Sequence, residues 1–198
     1  MCDSILDRVP NLMKQFHLSE LERKCDDVLT VRGVFDIIRP NGMLANLVAT
    51  CGGLPHASSN VETRVDRVLR QGEAGSSWRR AFGDQILASE LKYENGLVME
   101  RFRVCFGLIP VAFAFHWVPI VDDTSEIQGF RHVTKRMYVC GIPVPRFLML
   151  TGDGFSSRVD GRSGKKISSN DGGWFVRVDV VAPIVGHLVT YKGRIHSF

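Results

Sequence analysis

The side chains best placed to do chemistry are a carboxylate, a histidine–tyrosine pair and a few arginines, each set in a strand-like apolar run. In Leu97–Phe106 the even positions are Val98, Glu100, Phe102, Val104 and Phe106, so alternation puts Glu100 on the apolar face. A carboxylate there is costly unless paired or protonated, and burial raises its pKa toward a general-acid range. Two readings stand: proton transfer, or a buried partner for an arginine such as Arg80, Arg32 or Arg136. In the last strand-like run, parity groups His187 with Val189, Tyr191 and Ile195, and Thr190 with Lys192 and Arg194. A His and a Tyr on one inward face would line a ligand cavity or act as an acid–base pair. The alternative is two core residues with hydrogen-bonded polar tips. Glu100, His187 and Tyr191 are therefore the candidates for proton transfer, with Arg32 or Arg80 as an anion or oxyanion partner.

Four further residues are candidates for contact with a small molecule. His116 shares a side with Ala112 and Ala114, opposite Phe113, Phe115 and Trp117, which leaves room for a ligand or a packed neighbour. His132 and Tyr138 share a parity with Thr134 and Arg136, a polar face that on a barrel would be either solvent or a wet lumen. The substrate-binding set is thus Arg32, Arg80, His116, Trp117, His132 and Tyr138. The dispersed histidines show no HxH, HExxH or HxxxH spacing and no CxxC occurs, so no metal site is expected. No GxSxG marks a nucleophile. With no GxGxxG and no GxxxxGKS, no nucleotide cofactor is expected either.

The elements that must position these residues are mainly strands. Ser4–Leu21 has helix-like apolar spacing interrupted by Pro10, which suggests two short helices. Val28–Ile38 alternates, with Leu29, Val31, Phe35 and Ile37 on one face and Thr30, Arg32 and Asp36 on the other. Pro40-Asn-Gly42 introduces a helix over 43–50, which Cys51-Gly-Gly-Leu-Pro55 ends. Strand patterns follow at 61–71, 78–82, 86–94, 97–106, 111–120, 130–140, 154–160, 174–181 and 187–195, with Glu94-Asn-Gly96 as a tight hairpin. The apolar segment Pro143-Val-Pro145 to Met149 reads as a flap over a sheet edge or a cavity mouth. The expected fold is α+β and mostly β: a strongly curved antiparallel sheet or barrel, lipocalin-like or half-barrel, with short N-terminal helices. One domain over 1–198 is expected, with a helix-strand-helix part at 1–55 and an antiparallel part at 56–198.

Composition narrows the class. The chain has 198 residues, 44% of them hydrophobic and 23% charged, with a net charge of +4. Basic residues are scattered among acidic ones, and the densest group, Arg158 to Lys166, sits among Gly and Ser, so nucleic acid is not an expected partner. The 5 cysteines are widely spaced, which favours a reducing compartment, and no signal-peptide pattern opens the chain; a cytoplasmic location is expected. The apolar stretch 105–121 carries Pro110, His116 and Pro119 and falls short of a span, so membrane insertion is not expected.

Several runs together resemble a family. Val31-Arg-Gly33, Asn41-Gly-Met-Leu-Ala-Asn-Leu47, Gly53-Leu-Pro55, Trp78-Arg-Arg-Ala-Phe-Gly83, Glu100-Arg-Phe102 and Gly141-Ile-Pro-Val-Pro145 do so in order. With the ending Phe175 to Gly193, they are similar to the bacterial domain of unknown function 4166 family over roughly 30–195. The chain departs from the pattern where a closing Tyr-Arg-Gly-Trp becomes Tyr191-Lys-Gly-Arg194. The resemblance implies a stand-alone member whose relatives occur alone or fused behind an NAD(P)-binding oxidoreductase-like domain, and it brings no settled activity. The functional expectation is a domain with an apolar cavity for a small apolar or amphipathic molecule. It would be either a cofactor-independent cyclase, isomerase or lyase of secondary metabolism, or a non-catalytic accessory module beside a partner oxidoreductase. An uncapped sheet edge would also leave room for a homodimer.

Overall fold

Period-two alternation of apolar and polar residues, carried through segment after segment, leaves each strand one face to bury and one to wet. The computed structural model describes residues 28–69, 75–94, 97–121, 127–157 and 173–197. The strands are β1 Val28–Ile38, β2 Ser58–Leu69, β3 Gly75–Phe82, β4 Gln85–Glu94, β5 Leu97–Val104 and β6 Ile109–Val121. They continue as β7 Ile127–Val139, β8 Ile142–Pro143, β9 Thr151–Ser157, β10 Gly173–Ala182 and β11 Gly186–Ser197. One helix, α1 Met43–Cys51, is found among the described residues. The N-terminal helices expected over 4–21 and the basic segment from Arg158 to Lys166 lie outside the described residues, as do Asn95 and Gly96 of the expected hairpin. Its flanking pair Glu94↔Leu97 has the register of a two-residue connection.

All neighbouring strands pair antiparallel in the order β6-β5-β4-β3-β2-β1-β11-β10-β9-β7, and β6–β7 pairing closes the circle. The fold is thus a closed ten-stranded barrel, one of the architectures the alternation allowed, and closure pairs the edges that an open sheet would expose. β8 adds two residues against the end of β7. Closure requires sharp coiling where sequence-distant strands meet. Across the β1–β11 seam a Cβ on Gly33 would overlap the Arg194 carbonyl, and one on Gly193 would overlap the Val34 carbonyl and the Phe35 ring. Both glycines are needed for that close approach.

The interior is packed at one end. Phe35, Ile37, Phe82 and Val189 form one cluster there, and Val111, Met137 and Met149 another. α1 lies across this end: Ala45 and Ala49 pack on Ala182 and Leu188, and Val48, Cys51 and Leu54 face the barrel interior. Gly53, at a φ of 68°, takes the left-handed position that ends the helix, and Leu54 N–H bonds back to the Ala49 carbonyl at 2.9 Å. Arg39 fastens the segment by donating to Pro55 O at 2.8 Å, to Thr50 Oγ1 at 3.1 Å and to Leu54 O. Cys105 N–H donates to Cys51 O at 2.8 Å, tying the helix to the β5–β6 turn.

Two bulges decide which side chains point inward. Between the pairs Ala114↔Arg136 and Phe115↔Thr134, Lys135 is an extra residue on β7. Between Val180↔Val189 and Val181↔His187, Leu188 is an extra residue on β11. Each reverses the alternation within its strand. The outer wall carries exposed Arg64, Arg79, Arg101, Arg131 and Arg177. A charged outside around an apolar inside is the reverse of the pattern of a membrane-spanning barrel. No helix among the described residues is long and apolar enough to cross a membrane.

Candidate functional site: an apolar lumen with a buried ion pair

Away from the packed end the barrel is hollow, enclosing a cavity of about 830 Å³. Most of its lining is aliphatic or aromatic, and all three tryptophans of the chain, Trp78, Trp117 and Trp174, contribute to it. The volume follows in part from β9, whose inward positions are Gly152, Gly154 and Ser156. A Cβ on Gly152 would lie 3.6 Å from the Phe115 ring, and one on Gly154 would lie 3.4 Å from His132. Small residues on that strand thus leave room for rings from β6 and β7.

Set in this apolar wall is a polar cluster from β3, β4 and β5. Arg80 Nη2 donates to Glu100 Oε1 at 2.7 Å and Nη1 donates to Ser89 Oγ at 3.1 Å, while Ser89 Oγ donates to the same Glu100 Oε1 at 2.7 Å. Both charged side chains are almost covered, at 15% and 13% exposure. The Arg80 guanidinium also sits 5.1 Å from the centre of the Trp78 ring, a cation–π contact strengthened by desolvation. Glu100 Oε1 is thus used by the protein, and Oε2 has no hydrogen-bond donor among the described residues.

Two more titratable groups feel this pair. Burial pushes the Tyr191 phenol up to about 12, the Glu100 charge adding to the shift and Arg80 opposing it. Its ring packs 5.4 Å from Phe82 and 6.4 Å from Phe35, and its hydroxyl makes no hydrogen bond among the described residues. Burial drives the His132 imidazole down to about 4, against the pull of Glu100 and with that of Arg80. His132 stacks on Trp117, ring centres 4.1 Å apart. The Trp117 Nε1–H is buried with no partner among the described residues. At neutral pH the site therefore offers a neutral phenol, a neutral imidazole, an orphan indole N–H and an ion pair.

The candidates named from sequence divide accordingly. Glu100, Tyr191, Arg80, Trp117 and His132 all line the lumen. Arg32 does not: it lies on the exposed polar face of β1, paired with Arg64 and His196. His116 points outward, because the side opposite Phe115 and Trp117 is the outside of the barrel. Tyr138 is outward as well, since the Lys135 bulge separates its parity from that of His132. His187 is parted from Tyr191 by the Leu188 bulge. It joins an outer network instead, its Nε2 lying 2.7 Å from Thr190 Oγ1, which donates to Asp179 Oδ1 at 2.5 Å. Phe106, grouped with the β5 apolar face from sequence, lies beyond the strand and is fully exposed.

Sequence reasoning passed over Ser89, Trp78 and the β9 glycines. Ser89 was findable as the polar member of the inward set Leu87, Ser89 and Leu91, and Trp78 as the residue sharing parity with Arg80. Nothing in the sequence flags Gly152 and Gly154 as cavity-forming. Among the described residues, no three His, Cys, Asp or Glu side chains gather closely enough to hold a metal ion.

The arrangement defines a closed antiparallel barrel with an apolar lumen and a buried ionic cluster. The family described as domain of unknown function (DUF4166) matches residues 10–195, and the chain belongs to it. No curated protein matches the chain, and no solved structure does.

Proposed function

We propose that the barrel is a small-molecule-handling protein that holds a mostly apolar ligand in its lumen, with one polar group of the ligand seated at the Arg80–Glu100 pair. The observation that carries this reading is the hollow itself: about 830 Å³ of apolar space with an ion pair in its wall. Volume and lining suit a ligand of drug-like size with few polar atoms. Leaving a buried indole N–H unpaired costs about 1–3 kcal/mol, and a ligand acceptor beside Trp117 would recover it. Native mass spectrometry of freshly purified protein tests the reading. The expected result is extra mass that leaves on organic extraction and is retained less by Arg80→Met. Bare protein that takes up no apolar compound would contradict it.

A second reading, cofactor-independent isomerase, cyclase or lyase chemistry, is favoured by the neutral Tyr191 hydroxyl and the unengaged Glu100 Oε2. Glu100 would take a proton from a bound substrate and Tyr191 would hydrogen-bond a developing oxyanion, with the lumen fixing the substrate's conformation. Such a role fits secondary metabolism in the cytoplasm, alone or beside a partner oxidoreductase. Once the bound compound is identified, Tyr191→Phe and Glu100→Gln should each lower kcat about 10²-fold or more with KM little changed. Unaltered turnover would leave the carrier reading alone.

A further inference from the structure

We propose that the α1 end of the barrel docks on the surface of an anionic lipid bilayer. This goes beyond the lumen and stands whether or not a ligand is held there. α1 is Met-Leu-Ala-Asn-Leu-Val-Ala-Thr-Cys, without a charge. Its alanines pack inward, yet Met43 is 89% exposed and Leu44 and Leu47 are exposed beside it. A helix apolar on both sides implies a second apolar neighbour. Other tips at the same end continue the surface: Phe106 and Leu108 on the β5–β6 turn, Phe147 and Leu148 after β8, and Ile184 on the β10–β11 turn. Exposed apolar residues gathered at one pole mark an interaction site.

The backbone under Phe106 is a second, independent sign. Cys105, Phe106 and Gly107 have φ values of 51°, 59° and 83°, a left-handed run that side chains disfavour. Phe106 is 102% exposed, so no packing within the described chain offsets that conformation. Hydrogen bonds hold the turn's backbone, but a phenylalanine in place of glycine at its left-handed position gains no contact inside the described chain, which points to an external partner for the ring.

Charge selects the partner. Residues 39–56, 104–110, 140–150 and 182–186, which build this end with the β3–β4 turn, contain no Asp or Glu but do contain Arg39 and Arg146, with Arg103 adjoining. Asp84, on the β3–β4 turn, is the one carboxylate there. A two-fold contact with a second copy would set arginines against arginines with almost no carboxylate to pair. Lipid phosphates can pair with the exposed Arg146 and are drawn by the charge of Arg39 and Arg103, and tips projecting from separate turns can each sink into a soft interface.

Flotation of the full chain with vesicles is the test, using phosphatidylcholine alone and phosphatidylcholine mixed with phosphatidylglycerol. Wild type should bind the mixed vesicles more tightly and lose that preference as salt rises. Leu47→Ser should weaken binding about tenfold, as expected for one inserted aliphatic side chain. Arg146→Glu should abolish the preference for phosphatidylglycerol. Phe106→Gly separates docking from folding: relieving the left-handed strain should hold or raise the melting temperature while vesicle binding falls. The proposal is overturned by wild type that floats with neither vesicle, by Phe106→Gly or Leu47→Ser floating as well as wild type, or by a dimer in solution that these substitutions dissociate.

Discussion

The barrel carries two networks of matching chemistry, each an arginine, a hydroxyl and a carboxylate with a histidine nearby, one on each face of its wall. Inside, Arg80 and Ser89 hold Glu100, with Tyr191 and His132 nearby. Outside, Arg177 donates to Asp179 at 2.7 Å, and Thr190 links Asp179 to His187. Because Thr190 gives its proton to Asp179, His187 Nε2 is the donor in its own contact. Burial works to raise the Asp179 carboxyl, but the bonds from Arg177 and Thr190 prevail and hold it below the usual range. In that outer network Arg177 keeps about half of its side chain in water, so its ion pair costs little to form. The inner one has lost most of its hydration, which only close pairing offsets. Residue type therefore says little about function here, and location relative to the wall says much more.

The largest expected effect breaks the inner pair. Arg80→Met or Glu100→Gln leaves its partner buried and uncompensated and should cost about 3–5 kcal/mol in chemical denaturation. Arg177→Met outside should cost about 0–1 kcal/mol. Equal losses would show that the two networks do not differ in solvation. The double variant Arg80→Met with Glu100→Gln should recover part of the loss, since no lone buried charge remains.

Acid sharpens the same contrast. His132 titrates at about 4 in the fold against an ordinary 6.5, so protonation favours the unfolded chain. The stability that its neutral burial permits is complete above 6.5 and is lost progressively as pH falls from 6.5 toward 4. Replacing it, as in His132→Phe, should flatten this limb in pH-dependent melting, and a limb of unchanged slope would count against a buried neutral imidazole. A smaller effect is expected from His187→Ala, about 1 kcal/mol or less with no change in lumen binding, because the residue lies on the outer face. Loss of binding in that variant would return His187 to the site.

How much was readable in the chain depended on whether a strand was regular. β5 has no bulge, so simple alternation placed Glu100 inward; Arg80 was named as a possible partner rather than by alternation, and on β6 the ligand space expected on the His116 side lies instead on the Trp117 side. In β7 and β11 the same counting failed because Lys135 and Leu188 are extra residues, and neither is a Gly or Pro that would announce a bulge. Closure was open for a related reason. It rests on the β1–β11 and β7–β9 pairings between sequence-distant strands and on the β6–β7 contact that completes the ring, whereas local patterns specify hairpins. The polar cluster's partners also come from three strands, so Ser89 gains meaning only once β4 is seen between β3 and β5.

The central claim is that the lumen, and not the apolar end, holds an amphipathic ligand. Anilinonaphthalene sulfonate, an aromatic probe with one anionic group, can report this through energy transfer from tryptophan, because Trp78, Trp117 and Trp174 all line the cavity. Gly152→Leu fills space next to Phe115 without entering the α1 surface. Strong transfer in wild type that falls at least tenfold in apparent affinity in Gly152→Leu, yet persists in Leu47→Ser, is the predicted result. Transfer that survives Gly152→Leu and vanishes in Leu47→Ser would place the probe on the outer surface and contradict the account.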